Sequence, residues 1–243
     1  MNSIFILGAT SDIGRELSYI YAGKGYSLIL SARDKSDLTA LKQDVKVRFD
    51  VDAETVSLDL QDFENIDDVI SSFKGQICGF VLMAGYLGDQ QLAQSSKDEA
   101  YKIMAVNYTG SCAALESAAK NLESVPKSFI IGVSSVAGLR GRQSNYMYGS
   151  AKAGLISYLS GLRNRLQKSD TTVLTVLPGF VDTKMTAHLE LPALLTASPA
   201  KVAADIVKGQ TRGKSVVYSI FVWRYIMWII RCIPEFVFKR LSL

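Results

Sequence analysis

Short apolar runs of strand length alternate along the chain with longer stretches in which apolar residues recur every three or four positions. The runs are IFIL (4–7), SLILSA (27–32), TVSL (55–58), CGFVLM (78–83), SFIIGV (128–133), TVLTVL (172–177) and SVVYSI (215–220). Helices are expected near 13–23, 35–45, 62–73, 97–121, 146–168 and 199–209, the last announced by Ser198 as N-cap with Pro199 behind it. Strands apolar on both faces, separated by amphipathic helices, predict an α/β fold: a doubly wound parallel sheet with helices on both sides, in a single domain. The interval 179–198 shows no strand pattern and reads as a candidate substrate lid.

Composition narrows the class. A chain of 243 residues with 48% hydrophobic content is large enough for one well-filled domain and too apolar to be disordered. Its three cysteines are far apart and form no CxxC or Cys/His cluster, so neither a disulfide framework nor a metal site is suggested. A reducing cytoplasm suits them, and the opening MNSIFILGATSDIG lacks the basic start of a secretory signal. The net charge of +4 is concentrated at the end, where Lys214, Arg224, Arg231, Lys239 and Arg240 face only Glu235. These cations punctuate an aromatic tail instead of tracking a groove, which argues against nucleic acid.

Two clusters of residues suggest chemistry. After the first strand, GATSDIG brackets a turn between Gly8 and Gly14, the arrangement that brings backbone N–H groups and a helix N-terminus up to a pyrophosphate. In NYMYGSAKAG, Tyr148 lies four residues before Lys152 and so shares a helix face with it, whereas Tyr146 lies over Ser150. Only Tyr148 thus has a cation one turn away to favour its phenolate.

The chain resembles a short-chain dehydrogenase/reductase over residues 3–220, a family of NAD(P)-dependent oxidoreductases with a Rossmann fold. The glycine turn matches the family's T-G-x-x-x-G-x-G at Gly8 and Gly14, with Leu7 in place of its threonine and Asp12 in place of its middle glycine. Asp12 is rationalised as N-cap of the following helix. Thr10, Ser11 and Ile13 complete the turn. Asp59 and Leu60 resemble the family's adenine-contacting pair, Ala84 and Gly85 are what remains of its Asn-Asn-Ala-Gly, and PGFVDT carries Pro178, Gly179, Val181 and Thr183 to the nicotinamide side. Arg33, at the end of the second strand, stands where a basic residue pairs with a 2′-phosphate, which argues for NADP(H). Arg15 is read either as its helper or as a solvated helix residue.

The resemblance also supplies the catalytic set. Asn107 in MAVNYTG, Ser135 in GVSSVAGLRG, Tyr148 and Lys152 recur in the family's order and spacing. It implies Tyr148 as proton donor and acceptor, Lys152 lowering its pKa and holding the nicotinamide ribose, Ser135 on the substrate oxygen and Asn107 completing a proton path. Tyr148 and Lys152 therefore count as cofactor contacts as well. Ser134 is assigned a structural role, and His188, the only histidine, a solvent-facing or structural one.

From Tyr218 onward the tail interleaves Trp223, Tyr225, Trp228, Phe236 and Phe238 with basic residues. It is too often interrupted by charge to span a bilayer but suits a helix pair, broken near Pro234, lying in a headgroup layer. Packing on the body or on a sister subunit is the alternative.

The expected function is an NADP(H)-dependent oxidoreductase acting on a carbonyl/alcohol pair, on a small-molecule, hydrophobic or lipid-linked sugar substrate. It is placed in the cytoplasm or at the inner face of the membrane. The rival is a catalytically silent nucleotide-binding scaffold or sensor. The division expected is a catalytic domain over 1–220 and a tail over 221–243. The family implies a homodimer or homotetramer through the helices at 97–121 and 146–168, with Ala113, Ala114, Ala118 and Ala119 permitting close approach.

Overall fold

A computed structural model describes residues 2–187 and 190–241. It begins with the alternation read above: β1 (Ser3–Leu7), α1 (Asp12–Gly23), β2 (Ser27–Ala32), α2 (Lys35–Phe49), β3 (Ala53–Ser57), α3 (Phe63–Ser71) and β4 (Ile77–Leu82). The middle of the chain forms α4 (Gln90–Ser95), α5 (Lys97–Met104), α6 (Gly110–Leu122), β5 (Phe129–Val133) and α7 (Tyr146–Arg165). There follow β6 (Thr172–Pro178), β7 (Phe180–Val181), β8 (Thr196–Ala197), α8 (Pro199–Thr211), β9 (Val216–Ser219), α9 (Val222–Cys232) and α10 (Glu235–Phe238).

Seven of these strands form one parallel sheet in the order β3-β2-β1-β4-β5-β6-β9. The order reverses between β1 and β4, so their C-terminal ends diverge into a crevice, the place where such sheets bind ligands. Period-two alternation sends Ile4 and Ile6 to one face with Leu17, Tyr21, Leu41 and Ile206. It sends Phe5 and Leu7 to the other with Ile66, Leu115, Leu155 and Leu159. Both faces are therefore apolar, which is why the strands read as nearly unbroken hydrophobic runs.

Several elements differ from the expectations. The helix expected at 97–121 is α5 and α6 joined by a π-helical turn, Ala105–Thr109. β3 starts two residues early, because the edge strand AETVS is exposed at Glu54 and Thr55 and lacks the apolar run that marks the inner strands. The lid interval is not strand-free, since β7 pairs β8 in a small second sheet. Asp12 is the first residue of α1 and not its cap. The cap is Ser11, whose Oγ accepts from Gly14 N at 3.1 Å. Ser198 caps α8 as expected, accepting from Lys201 N at 3.2 Å. Ala114, Ala118 and Ala119 are fully buried in this subunit's own core, so they are not available to a sister subunit.

The tail forms the expected pair of helices, interrupted at Ile233 and Pro234, and no helix among the described residues is long and apolar enough to cross a membrane. Trp223 and Met227 pack against Val136 and Leu177, tying α9 to the ends of β5 and β6. Trp228, Tyr225, Ile229 and Phe236 remain exposed on the other side.

Candidate active site

The turn after β1 is built by its glycines. Gly8 has φ +92°, and a Cβ there would lie 2.6 Å from Ala84 N; one on Gly14 would lie 2.3 Å from Gly8 O. Gly8 N and Ala9 N both donate to Ser31 O, at 2.7 and 2.9 Å, fixing the turn against β2. Arg15 folds back, its Nε donating to Thr10 O at 3.2 Å. The Asp12 carboxylate accepts Lys184 N at 2.8 Å, so the acid that replaces a glycine is engaged by a donor 172 residues away.

A cleft of about 860 Å³ opens above the sheet, within the usual range for small-molecule sites. Thr10, Ser11, Asp12 and Ile13 line one end. Gly85, Ser135, Tyr148 and Lys152 line the middle, and Pro178, Gly179, Val181 and Thr183 come from β6 and the lid. Met83, which stands in place of one of the family's amides, also lines it. Arg33 is exposed at the end of β2, its carbonyl accepting Ser57 Oγ at 3.0 Å. The Asp59 carboxylate accepts Gln61 N at 3.0 Å, while Leu60 is buried, its carbonyl lying against Gly110. Gly8, Gly14, Ala84, Arg33, Asp59 and Leu60 thus shape or flank the cleft and do not line it.

Asn107 sits inside the π-helical turn and is fully buried. Its Nδ2 donates to Tyr86 O at 2.6 Å and Ile103 O at 2.9 Å, and its Oδ1 accepts Tyr86 N at 3.2 Å. The side chain at this π turn lies against the loop after β4, and its amide is spent on that loop's backbone and on the α5 carbonyl of Ile103. The same Oδ1 and Lys152 Nζ flank Gly85, at 3.3 and 3.5 Å from where its Cβ would stand.

The α7 register separates the two tyrosines as their spacing predicts. Tyr146 is exposed, and Ser150 Oγ donates to its carbonyl at 2.6 Å; Tyr148 faces the cleft. Lys152 is buried, its Nζ donating to Val133 O at 3.2 Å and standing 5.7 Å from the centre of the Tyr148 ring. Ser134 Oγ donates to Lys152 O at 2.8 Å, the structural part assigned to it, and Ser135 points the other way, into the cleft.

Burial lowers the Lys152 pKa to about 8, because the charged ammonium is desolvated with no carboxylate beside it. Burial also raises Tyr148 to about 12, with the hydrogen bond from Ser135 pulling the other way. The expected lowering of Tyr148 by Lys152 is therefore not found: desolvation dominates both groups, and the ammonium bonds to a carbonyl.

Further polar groups in the cleft wall, among them Gln90, Arg142 and Asn145, carry no sequence signal of a site. They come from loops and helix starts whose polar composition looks like ordinary surface. His188 lies outside the described residues.

The short chain dehydrogenase family model matches residues 2–192. An uncharacterized oxidoreductase of Mycobacterium tuberculosis is 32% identical over 241 residues, 98% of this chain and 96% of that protein. Among solved structures, a short-chain dehydrogenase from Burkholderia cenocepacia in complex with NADP aligns with a TM-score of 0.85 at 22% identity, covering 99% of this chain and 97% of that one. One from Sphingobium yanoikuyae in complex with NADPH aligns at 0.83 and 21%, covering 97% of each. The chain belongs to the short-chain dehydrogenase family, and it is an oxidoreductase.

Proposed function

We propose that this oxidoreductase uses NADP(H) to interconvert a carbonyl and a secondary alcohol, with Tyr148, Ser135 and Lys152 carrying the reaction. The observation that supports it best is the meeting of these three side chains in one cleft whose far end is a glycine turn opening a helix. The residues present fit a dinucleotide: close backbone approach is possible only because Gly8 and Gly14 lack side chains, and the Asp12 carboxylate is engaged by Lys184 N. Two structural relatives are complexes with NADP or NADPH, and the exposed Arg33 at the end of β2 is the residue proposed to pair with the 2′-phosphate.

When bound, the nicotinamide gives or takes the hydride. Tyr148 donates its phenolic proton to the oxygen of a carbonyl being reduced and recovers it in the reverse direction. Ser135 donates a hydrogen bond to the same oxygen. Lys152, its Nζ anchored on Val133 O, would hold the nicotinamide ribose. Asn107 acts as a positioning residue, fixing the loop at Tyr86 that carries Gly85.

The experiment is NADPH consumption with a carbonyl panel, repeated with NADH. Arg33→Asp should weaken NADPH by about 10- to 100-fold while changing NADH little, the scale of losing a hydrogen-bonded charge partner. An unchanged preference would move the 2′-phosphate contact away from Arg33.

A hydrophobic or lipid-linked substrate, met at the inner face of a membrane, is the finer part of the reading. It is supported by the exposed Tyr225, Trp228, Ile229 and Phe236 alongside Arg224 and Arg231. Co-sedimentation with anionic vesicles at low salt, lost in a Trp228→Ser, Phe236→Ser double variant, tests it; equal sedimentation of both proteins would rule it out. Assembly as a homodimer or homotetramer belongs to the same reading and is tested by light scattering.

A further inference from the structure

Beyond Tyr148, the cleft wall contains three buried polar atoms that have no hydrogen-bond partner among the described residues: Arg142 Nε, Gln90 Nε2 and Asn145 Oδ1. Buried polar atoms are nearly always paired, so three in one wall are an unusual concentration. Arg142 stands in the loop before α7, and Asn145 is the residue that opens α7, with no side-chain cap bond. Gln90 opens α4. Its Oε1 accepts Met147 N at 2.8 Å, so its amide is oriented with the Nε2 donor left over.

The guanidinium lacks a counter-charge. No ion pair among the described residues includes Arg142. The two carboxylates lining the cleft are engaged by backbone donors, Asp12 by Lys184 N and Asp89 by the N–H groups of Gln91 and Leu92. The other charged lining groups, Lys152 and Lys184, are cations. Burial alone depresses Arg142's proton affinity, with no acid raising it. Arg142 is half-buried, and its buried Nε is kept unpaired at a cost that a ligand of opposite charge removes.

We propose that Arg142, with the spare Gln90 Nε2 donor in the same wall, binds an anionic oxygen group, carboxylate or phosphoryl, carried by the substrate, while Asn145 Oδ1, an acceptor, is left for a hydroxyl of the same ligand. The site rests on the oxidoreductase reading only for calling that ligand the substrate. The 2′-phosphate assigned to Arg33 is an unsuitable occupant, because Arg33 follows β2 and Arg142 follows β5, three strands across the sheet, and the pyrophosphate turn follows β1, two strands away. An arginine fork suits either anion, and the N-terminus of the 20-residue α7 adds partial positive charge at the same place.

The test is calorimetric titration of the full chain with phenyl phosphate, benzoate and neutral benzyl alcohol. Wild type, Arg142→Gln, Arg142→Lys and Arg33→Ala are compared, each first shown folded by its thermal transition. At least one anion should bind wild type and bind Arg142→Gln about tenfold or more weakly, with partial recovery in Arg142→Lys. Benzyl alcohol should not distinguish the variants, and Arg33→Ala should bind the anion as wild type does. The tighter anion identifies the substrate group. Equal anion affinity in wild type and Arg142→Gln, no preference of wild type for anion over alcohol, or a loss in Arg33→Ala alone would overturn the proposal. Because the titration needs no turnover, an inactive panel with Arg142-dependent binding would remove the oxidoreductase reading and leave the anion site standing.

Discussion

The two ends of the cleft are specified differently. The glycine-turn end departs from its family pattern at Leu7, Asp12 and Met83, yet the turn has the close backbone approach such a site needs. The chemical end keeps Asn107, Ser135, Tyr148 and Lys152. On the proposed function the working atoms of the first end are main-chain groups, so what matters there is where a Cβ is forbidden, and those of the second end are the side chains themselves. A site made of backbone can therefore drift in sequence while keeping its shape; a site made of side chains cannot.

That contrast can be broken most directly at Tyr148. Tyr148→Phe should lower turnover by about 10²- to 10⁴-fold with NADPH affinity nearly unchanged, and Tyr146→Phe should leave both alone. Equal losses in steady-state assays of the two variants would mean that side-chain identity does not define the chemical end. At the other end, Gly14→Ala should cost about 3 kcal/mol of stability, because its Cβ meets the Gly8 carbonyl at 2.3 Å and backbone cannot move aside cheaply. Urea unfolding reads that loss, and cofactor titration should fall with it.

Lys152→Met sharpens the comparison from the stability side. With its pKa near 8 in the folded chain against the usual 10.5, Lys152 binds fewer protons folded than unfolded between about pH 8 and 10.5, so its contribution makes stability rise with pH there. Below pH 8 the full cost of burying the cation is paid. The substitution should therefore gain about 1–2 kcal/mol at pH 7, after the lost bond to Val133 O, and gain less at pH 10, while activity falls. Urea midpoints at the two pH values check it. The smallest effect is expected of Asp12→Asn, which keeps an acceptor for Lys184 N and should stay within about 0.5 kcal/mol.

The sheet was legible because its inner strands are apolar on both faces, so each shows as a compact run. The first two residues of the edge strand β3, the polar α4 (QQLAQS) and the two-residue strands β7 and β8 were not, since each lacks an apolar run long enough to register. The π-helical turn is likewise invisible to a helical period, although it carries the buried Asn107. Of the site, residues held in fixed spacings along one element could be read, such as Tyr148 over Lys152. Gln90, Arg142 and Asn145 could not, because only folding brings Gln90 to the start of α7, 57 residues away from Met147. Ser11 and Asp12 are both residue types that cap helices well, so composition alone does not distinguish the cap, Ser11, from the first helical residue, Asp12.

Gly179 and Trp223 bear on how the molecule can be recombined. A Cβ on Gly179 would stand 1.9 Å from Trp223 Nε1, and that same Nε1 donates to Leu195 O at 3.1 Å while the indole meets Phe180 edge-on at 5.1 Å. Gly179, Phe180, Leu195 and α9 thus form one interlocked cassette. A chimera that imports 180–197 from a relative without its matching 222–232 would lose the indole that joins its two ends, so swaps within the family should exchange both segments together.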